Sequence, residues 1–200
     1  MYIKFKFIAI LFLVYCFSSC ASVTQYQTAK PEGKGNLSIR STLNGNSEFA
    51  LPIGVEVGVN YGITDDFDFI SKLNSFGSMS IGGKYTLLGA EPDAKIAIAL
   101  GPSMNFFGKI SNITIPLHFT LSPNDIFYFT LTPSYTSPGF NKLKDDIDNY
   151  YKDINVGFMS FSPYLEAGKK VKFIFGTNFS FANSKTYIDY GLGVKFKIKS

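Results

Sequence analysis

The end of the chain alternates strictly between apolar and other residues. From Ile188 to Ile198 every even position is apolar, whereas the odd positions carry Asp, Gly or Lys. Successive side chains of a β-strand point to opposite faces, so this pattern predicts a strand with one apolar and one polar face. The same alternation, with small or polar residues between the apolar ones, recurs at 51–63, 111–121, 127–136 and 171–181.

Turn-forming residues separate these alternating runs, and no run shows a helical period. We therefore predict an all-β fold, a closed antiparallel up-and-down transmembrane β-barrel of about ten strands, with 8 or 12 strands as alternatives. The predicted strands are 35–43, 50–63, 66–73, 76–88, 94–107, 111–121, 126–136, 154–167, 170–181 and 186–199.

Alternation alone does not tell whether the apolar face contacts lipid or the inside of a soluble barrel. The polar face is built from small residues, and the interior of a ten-strand barrel is narrow, which favours the polar face inside. The segments 64–66, 90–93, 122–125 and 168–170 are short and fall at one end, whereas the long segment 137–153 falls at the other. Short periplasmic turns and longer outer loops are typical of outer-membrane barrels. The alternative is a soluble or peripheral lipoprotein barrel that carries an apolar ligand.

The N-terminus predicts export. Residues 1–19 combine a basic start, an apolar run and small residues, as a secretory signal peptide does, and the run is too short to span a membrane. The sequence Phe17-Ser18-Ser19-Cys20 resembles a bacterial lipobox, which implies that Cys20 becomes the lipidated first residue of the mature protein. An ordinary signal peptide with an incidental cysteine is the alternative. Residues 20–34 are polar and predict a lipid-anchored periplasmic tether, and residues 35–200 form the predicted barrel.

Two stretches resemble a known class of proteins. The sequence GVEVGVNYGITDDFDF, followed by GGKYTLLG, resembles the repeating hairpin of small outer-membrane β-barrel proteins, and CASVTQYQTAKPEGKG resembles the start of their lipid-anchored members. The resemblance implies a Gram-negative outer-membrane protein, anchored through Cys20 by an acyl chain such as palmitate. It also implies contact with outer-membrane lipid and insertion by the barrel-insertion machinery. Such proteins commonly end on an aromatic residue, whereas this chain ends on Ser200.

Charge along the chain refines the prediction for the interior. Charged residues make up 17% of the sequence and the net charge is +4, which gives no indication of a nucleic-acid partner. If the apolar face contacts lipid, the other face lines a lumen that contains both signs of charge. Buried charges need partners, so a network of ion pairs filling the lumen is predicted, with a narrow porin-like solute pore as the alternative. The predicted lumen residues are Arg40, Glu56, Asp68, Lys72, Lys84, Lys95, His118, Glu166, Lys172, Asp189, Lys195 and Lys197.

Catalytic chemistry finds little support in the sequence. His118 is the one histidine, and Thr120 shares its face, giving a His-Phe-Thr motif that faintly resembles the His-x-Ser of lipid A deacylases. An outer-membrane lipid-modifying enzyme using His118 is therefore a further alternative. One histidine and no free thiol exclude the usual zinc ligand sets, so we predict no metal, no cofactor and no enzyme. The loop 137–153 is the predicted contact for a surface ligand.

Overall fold

The computed structural model describes residues 26–46, 52–75, 77–107, 110–139, 157–182 and 185–198. Their regular structure is entirely β, and no helix among these residues is long and apolar enough to cross a membrane. The strands are β1 Leu37–Asn46, β2 Pro52–Gly62, β3 Phe67–Asn74, β4 Ser78–Leu88, β5 Ile96–Leu100, β6 Ser103–Phe107, β7 Ile110–Leu121, β8 Phe127–Thr136, β9 Phe158–Gly168, β10 Val171–Ala182 and β11 Lys185–Ile198.

Strands β5 and β6 are two parts of one interrupted strand. Leu100 of β5 pairs with Tyr85, and Ser103 of β6 pairs with Gly82, so the register on β4 continues without a shift across the break. The break falls at Gly101-Pro102, because proline has no N–H to donate to a neighbouring strand. The single predicted strand 94–107 is therefore wrong in this detail, while the number of strand positions around the barrel remains ten.

The sheet closes on itself through its first and last strands. Strand β1 pairs antiparallel with β2 on one side and with β11 on the other, and Leu37 lies opposite Ile198. The other neighbours in the chain also pair antiparallel, including β3 with β4 and β7 with both β6 and β8. The structure thus confirms the predicted closed antiparallel barrel.

The barrel has its apolar side chains outside. Phe173 is 67% exposed and Leu192 is 57% exposed, and many other large apolar side chains share this outer face. Ser, Thr, Asn and charged residues fill the inner face, where Lys84, His118 and Glu166 have no exposed surface. Alternation therefore places the apolar face where hydrocarbon would lie. The soluble barrel with an apolar interior is wrong, because its apolar face would have to point inward.

The connections differ between the two ends of the barrel. At one end, which we call the short-turn end, residues 63–66, 89–95, 122–126 and 169–170 join the strands. The opposite end, the long-loop end, includes the segment between β8 and β9, residues 137–157. Most of the predicted ligand loop 137–153 lies outside the described residues.

Candidate functional site: the lumen and its inner segment

The lumen holds a piece of the chain that precedes the first strand. Residues 26–32, which we call the inner segment, run inside the barrel. Tyr26 and Ala29 have no exposed surface, and Glu32 is 4% exposed. The prediction of a periplasmic tether over residues 20–34 is therefore wrong for residues 26–32. These residues pack inside the barrel and do not form a linker outside it.

The inner segment runs from the middle of the barrel to the short-turn end. Tyr26 packs edge-on against Tyr164 of β9, with ring centroids 5.6 Å apart. Its ring lies over Gly176 and Gly191, where an added Cβ would come within 2.5 Å of a ring carbon. Glycine at these two neighbouring positions leaves the space that the tyrosine ring occupies.

Hydrogen bonds hold the backbone of the inner segment on both sides. The N–H of Ala29 donates to Thr120 Oγ1 at 2.7 Å, and the hydroxyl of Thr86 donates to the Ala29 carbonyl at 2.8 Å. Arg40 donates to the carbonyl of Tyr26. Lone peptide groups buried in a lumen would otherwise lack partners, so these inward side chains replace the pairing that a strand neighbour provides.

A tight turn joins the inner segment to β1. The N–H of Asn36 donates to the Gly33 carbonyl at 3.1 Å, and both Gly33 and Gly35 have positive φ angles, 83° and 78°. Glycine adopts this left-handed conformation without steric cost. The turn sits against the end of β2, where the N–H of Gly62 donates to the Asn36 carbonyl at 2.9 Å. The chain thereby reverses at the short-turn end and rises again as β1.

Lys84 is the main cationic contact of the inner segment. Its ammonium donates to the carbonyls of Thr28 and Lys30 at 2.8 and 2.7 Å, and lies 3.0 Å from Asp68 Oδ2. Asp68 in turn accepts the N–H of Glu32 on both carboxylate oxygens. Neither Lys84 nor Asp68 has exposed side-chain surface. The pair thus joins two strands and the inner segment in one buried cluster.

Glu32 forms the second charged cluster. Its carboxylate lies 2.7 Å from Lys195 and 3.7 Å from Lys197, and accepts the Ser38 hydroxyl at 2.8 Å. Lys195 also lies 4.0 Å from Glu166. The inner segment thereby supplies a carboxylate to a region of the wall where lysines are in excess.

Further ion pairs extend the network around the wall. Arg40 Nη2 lies 3.1 Å from Glu56, and Lys172 lies 3.4 Å from Glu166. The ammonium of Lys172 also sits 3.3 Å from the centre of the Tyr128 ring, close enough for a cation–π interaction. Among the described residues, opposite charges thus form ion pairs at several positions of the lumen wall.

The Glu32 carboxyl, which lies outside the membrane-spanning strands, has a depressed pKa. Burial alone would raise this pKa, but Lys195, Lys84 and Lys197 outweigh burial and hold it well below its usual range. A carboxyl whose folded pKa is depressed stabilises the fold above its unfolded pKa, and that contribution disappears as the pH falls through the folded value.

We therefore expect the Glu32→Gln variant to be less stable than the parent by a constant amount from pH 8 to about pH 5. Below the unfolded pKa of about 4.3 the difference should shrink. Urea unfolding in detergent micelles at a series of pH values measures this difference. Glu91→Gln, at an exposed carboxylate of the short-turn end, is the control and should differ little from the parent at any pH. A Glu32→Gln deficit that grows on acidification would contradict the sign of the effect.

The structure does not join His118 and Thr120 into a catalytic pair. The His118 Nδ1 lies 3.0 Å from Thr132 Oγ1, on the next strand, and the ring is fully buried. Thr120 instead bonds to Thr130 at 2.8 Å and accepts the N–H of Ala29. Both side chains serve the packing of the wall, and Thr120 also holds the inner segment.

Most of the predicted lumen residues lie on the inner face. Lys72 is buried, and Asp189 is half-buried with its carboxylate 3.3 Å from Asn178 Nδ2. Lys95 is an exception, because it is exposed in the turn that precedes β5, and its prediction as a lumen charge is wrong. The side chain of Lys197 is 37% exposed at the short-turn mouth, although it still contacts Glu32. Cys20 lies outside the described residues.

Glu32 and Tyr26 are the site residues that the sequence prediction missed. A signal for Glu32 was present, because the predicted lumen set contains seven lysine or arginine residues and four carboxylates. Because buried charges need partners, this excess of cations predicts a further carboxylate from a part of the chain outside the strands. For Tyr26 the signal was two inward glycines, Gly176 and Gly191, at paired positions of neighbouring strands.

A cavity of about 820 Å³ opens at the short-turn end, beside the inner segment. Its lining includes Lys30, Glu32, Tyr128, Lys172, Lys195 and Lys197. Among the described ranges, no three His, Cys, Asp or Glu side chains come together as a metal site. The inner segment forms part of the wall of this cavity through Thr28, Lys30, Pro31 and Glu32.

Comparison with solved structures finds bacterial outer-membrane barrels. The NanC porin aligns with a TM-score of 0.52 at 10% identity, over 81% of this chain and 100% of the porin chain. The chain has the outer-membrane β-barrel fold. The Yersinia pestis protein Ail in a nanodisc (TM-score 0.42, 11% identity, 82% of this chain and 100% of Ail) and the N-terminal barrel of Pseudomonas aeruginosa OprF (0.39, 13%, 83% and 99%) also match.

At such low identities the likeness is one of fold. No family model and no curated protein matches the sequence.

Proposed function

We propose that this protein is a non-enzymatic outer-membrane lipoprotein whose barrel is closed by its own inner segment. The observation that carries the proposal is the burial of residues 26–29 inside the lumen, with Ala29 bonded to strands on two sides. Ten strands enclose a narrow interior, so one extended segment with its side chains is enough to fill it. The barrel then serves as a membrane scaffold and does not conduct at rest.

The charged network supports a closed lumen more than an open pore. Ion-selective pores use rings of charge that remain accessible to solutes. Here Lys84, Asp68, Glu56 and Glu166 have little or no exposed surface, and each contacts an opposite charge. A small-solute pore therefore requires the inner segment to leave first.

Enzyme chemistry at His118 is not favoured by the same contacts. Its ring has no exposed surface, and a general base must reach the proton that it removes. A lipid substrate would have to enter the lumen past the inner segment. The outer, lipid-facing wall presents apolar side chains there, with no second histidine in the chain.

The anchor and the partners complete the proposal. Acylation of Cys20, insertion by the barrel-insertion machinery and contact with outer-membrane lipid are what the sequence resemblance implies. A ligand contacting residues 137–153 stays a prediction.

Conductance across planar lipid bilayers tests the proposal. We expect the refolded full-length protein to insert, as shown by heat-modifiable migration on gels, and to give no stable current steps. The physical reason is that the inner segment and its ion pairs leave no continuous path for water and ions. A steady ohmic conductance of the wild-type protein would contradict the closed-barrel proposal.

A further inference from the structure

The cavity of about 820 Å³ at the short-turn end has a strongly basic lining. Its volume lies in the range of about 300–1,000 Å³ that is typical of sites for small molecules. The described lining contains six lysines against four carboxylates, an excess of two positive charges. The six lysines are Lys30, Lys34, Lys170, Lys172, Lys195 and Lys197.

The carboxylates of the lining lie mainly at the mouth of the cavity. Asp65, Glu91 and Asp125 are exposed, whereas Glu32 is only 4% exposed. Glu32 is therefore the one carboxylate of the described lining that is buried beside the lysines.

Deeper in the cavity, two carboxylates are shared among three lysines. Glu32 lies 2.7 Å from Lys195 and 3.7 Å from Lys197. Glu166, just behind the lining, lies 3.4 Å from Lys172 and 4.0 Å from Lys195. These ion pairs leave one ammonium charge of this group without a carboxylate of its own.

A fourth lysine adds to this excess beside the ring of Tyr128. The ammonium groups of Lys30 and Lys172 lie 5.9 and 3.3 Å from the centre of that ring. Lys30 donates to the carbonyl of Pro92 at 2.9 Å, which is an uncharged acceptor. Tyr128 therefore brings two ammonium groups, one from the inner segment and one from β10, close together in the cavity.

A lining with lysine and no arginine favours a phosphate group. Arginine suits planar carboxylates because it forms two parallel hydrogen bonds, whereas lysine is a point charge whose three donors turn freely toward the oxygens of a phosphate. The described lining contains no arginine. A buried positive charge needs a partner, so an anion with more than one negative charge would match the two charges in excess.

We propose that this cavity binds a phosphorylated small molecule that carries at least two negative charges. The phosphate oxygens accept hydrogen bonds from Lys30 and Lys172 beside the Tyr128 ring, and Lys197 attracts the ligand at the mouth. Because the short turns of outer-membrane barrels face the periplasm, the ligand enters from the periplasm. This binding function is separate from the closure of the lumen.

The exposed acids at the mouth favour a soluble ligand over a lipid headgroup. Asp65, Glu91 and Asp125 stand between the lysines of the cavity and the surroundings of the barrel. Like charges repel, so these acids disfavour the approach of an anionic membrane surface. The inward position of the site also requires the acyl chains of a lipid to cross this polar rim.

Calorimetric titration with inorganic pyrophosphate tests the site. The refolded full-length protein is titrated in micelles of a non-ionic detergent at low ionic strength, because salt screens the attraction between exposed charges. We expect saturable binding with one site per chain. Absence of saturable binding would overturn the proposal.

Two lysine variants locate the bound pyrophosphate. Lys30→Met and Lys172→Met should each weaken binding by about tenfold or more, because a hydrogen bond between two charged groups is lost. Lys30→Met removes no ion-pair partner from a buried carboxylate, so it retains the fold, and heat-modifiable migration checks this. Lys169→Met is the matched control, at an exposed lysine of the adjacent turn outside the described lining. Equal affinities of all three variants would contradict the assigned position.

Glu32→Gln separates the effect of charge from an effect on structure. This variant removes the carboxylate that lies beside Lys195 and Lys197, so pyrophosphate should bind more tightly than to the parent. A loss of affinity, or no change, would show that lysine charge does not hold the ligand.

Addition of phosphatidylglycerol to the micelles distinguishes the two sources of phosphate. We expect the affinity for pyrophosphate to stay unchanged, and competition by the lipid would overturn the assignment of a soluble ligand. The bilayer experiment is a separate test, because it measures passage of ions through the lumen and not occupancy of this cavity.

Discussion

Replacing Glu32 with lysine is expected to open the barrel to ions. In the wild-type protein the Glu32 carboxylate lies between Lys195 and Lys197 and near Lys84. The Glu32→Lys variant removes the acceptor of these lysines and adds a like charge among them. Loss of one partner from a buried ion pair costs about 3–5 kcal/mol, and repulsion adds to this cost.

The equilibrium should then shift from the closed barrel toward an open barrel from which the inner segment has left. Every 1.4 kcal/mol is a tenfold change in an equilibrium constant, so the closed state should lose at least about a hundredfold in its population relative to the open state. In planar bilayers we expect current steps from Glu32→Lys where the wild-type protein is silent.

Glu91→Lys provides the matched control for this variant. It makes the same charge change on an exposed residue of the same barrel end. We expect this control to remain silent. If Glu32→Lys migrates as a folded barrel and conducts no more than Glu91→Lys, the inner segment is not held by the Glu32 cluster.

The pair Lys84–Asp68 should contribute the largest single share of fold stability among the lumen charges. Asp68→Asn leaves the buried ammonium of Lys84 with two carbonyl acceptors and removes the carboxylate that forms its ion pair at 3.0 Å. We expect the free energy of unfolding to fall by about 3–5 kcal/mol, because an uncompensated charge stays inside the wall. Urea unfolding in lipid vesicles measures this change.

The double variant Asp68→Asn/Lys84→Met separates the pair from its parts. Removing the lysine as well removes the unpaired charge, so the double variant should recover part of the loss, with a coupling energy above 1 kcal/mol. Lys95→Met, at an exposed lysine, is the control and should change stability by no more than about 0.5 kcal/mol. Strictly additive losses would show that Lys84 and Asp68 act on stability separately.

The alternation of residues made the wall of the barrel predictable. A one-residue shift in register would move every side chain of a strand to the opposite face. The alternation in a strand such as Val171–Ala182 therefore predicts which side chains point outward and which point into the lumen. Closure between the first and last strands, where Leu37 pairs with Ile198, is what the predicted closed barrel requires, whereas the residue register of this pairing was not predicted. The break at Gly101-Pro102 was the main local departure within the wall.

The inner segment was not predictable in the same way. Residues 26–32 show no alternation, because they form no regular strand: residues 26–29 and Glu32 are buried, whereas Lys30 and Pro31 are half-buried and line the cavity. Their polarity and the Pro31 residue are equally typical of a linker. Only complementarity with the wall, between Glu32 and the excess lysines or between Tyr26 and two glycines, distinguishes the two cases.

The closing seam of the barrel is also the place where the inner segment is fastened. The segment continues directly into β1 through the turn at Gly33, and its contacts to Gly191 and Lys195 are on β11. The two strands that meet last in chain order are thus bridged by Glu32 and Tyr26 from within. The pairing of β1 with β11 and the binding of the inner segment in the lumen should therefore be one cooperative step of assembly. A barrel in which β1 and β11 are not yet paired would also have no inner segment in its lumen.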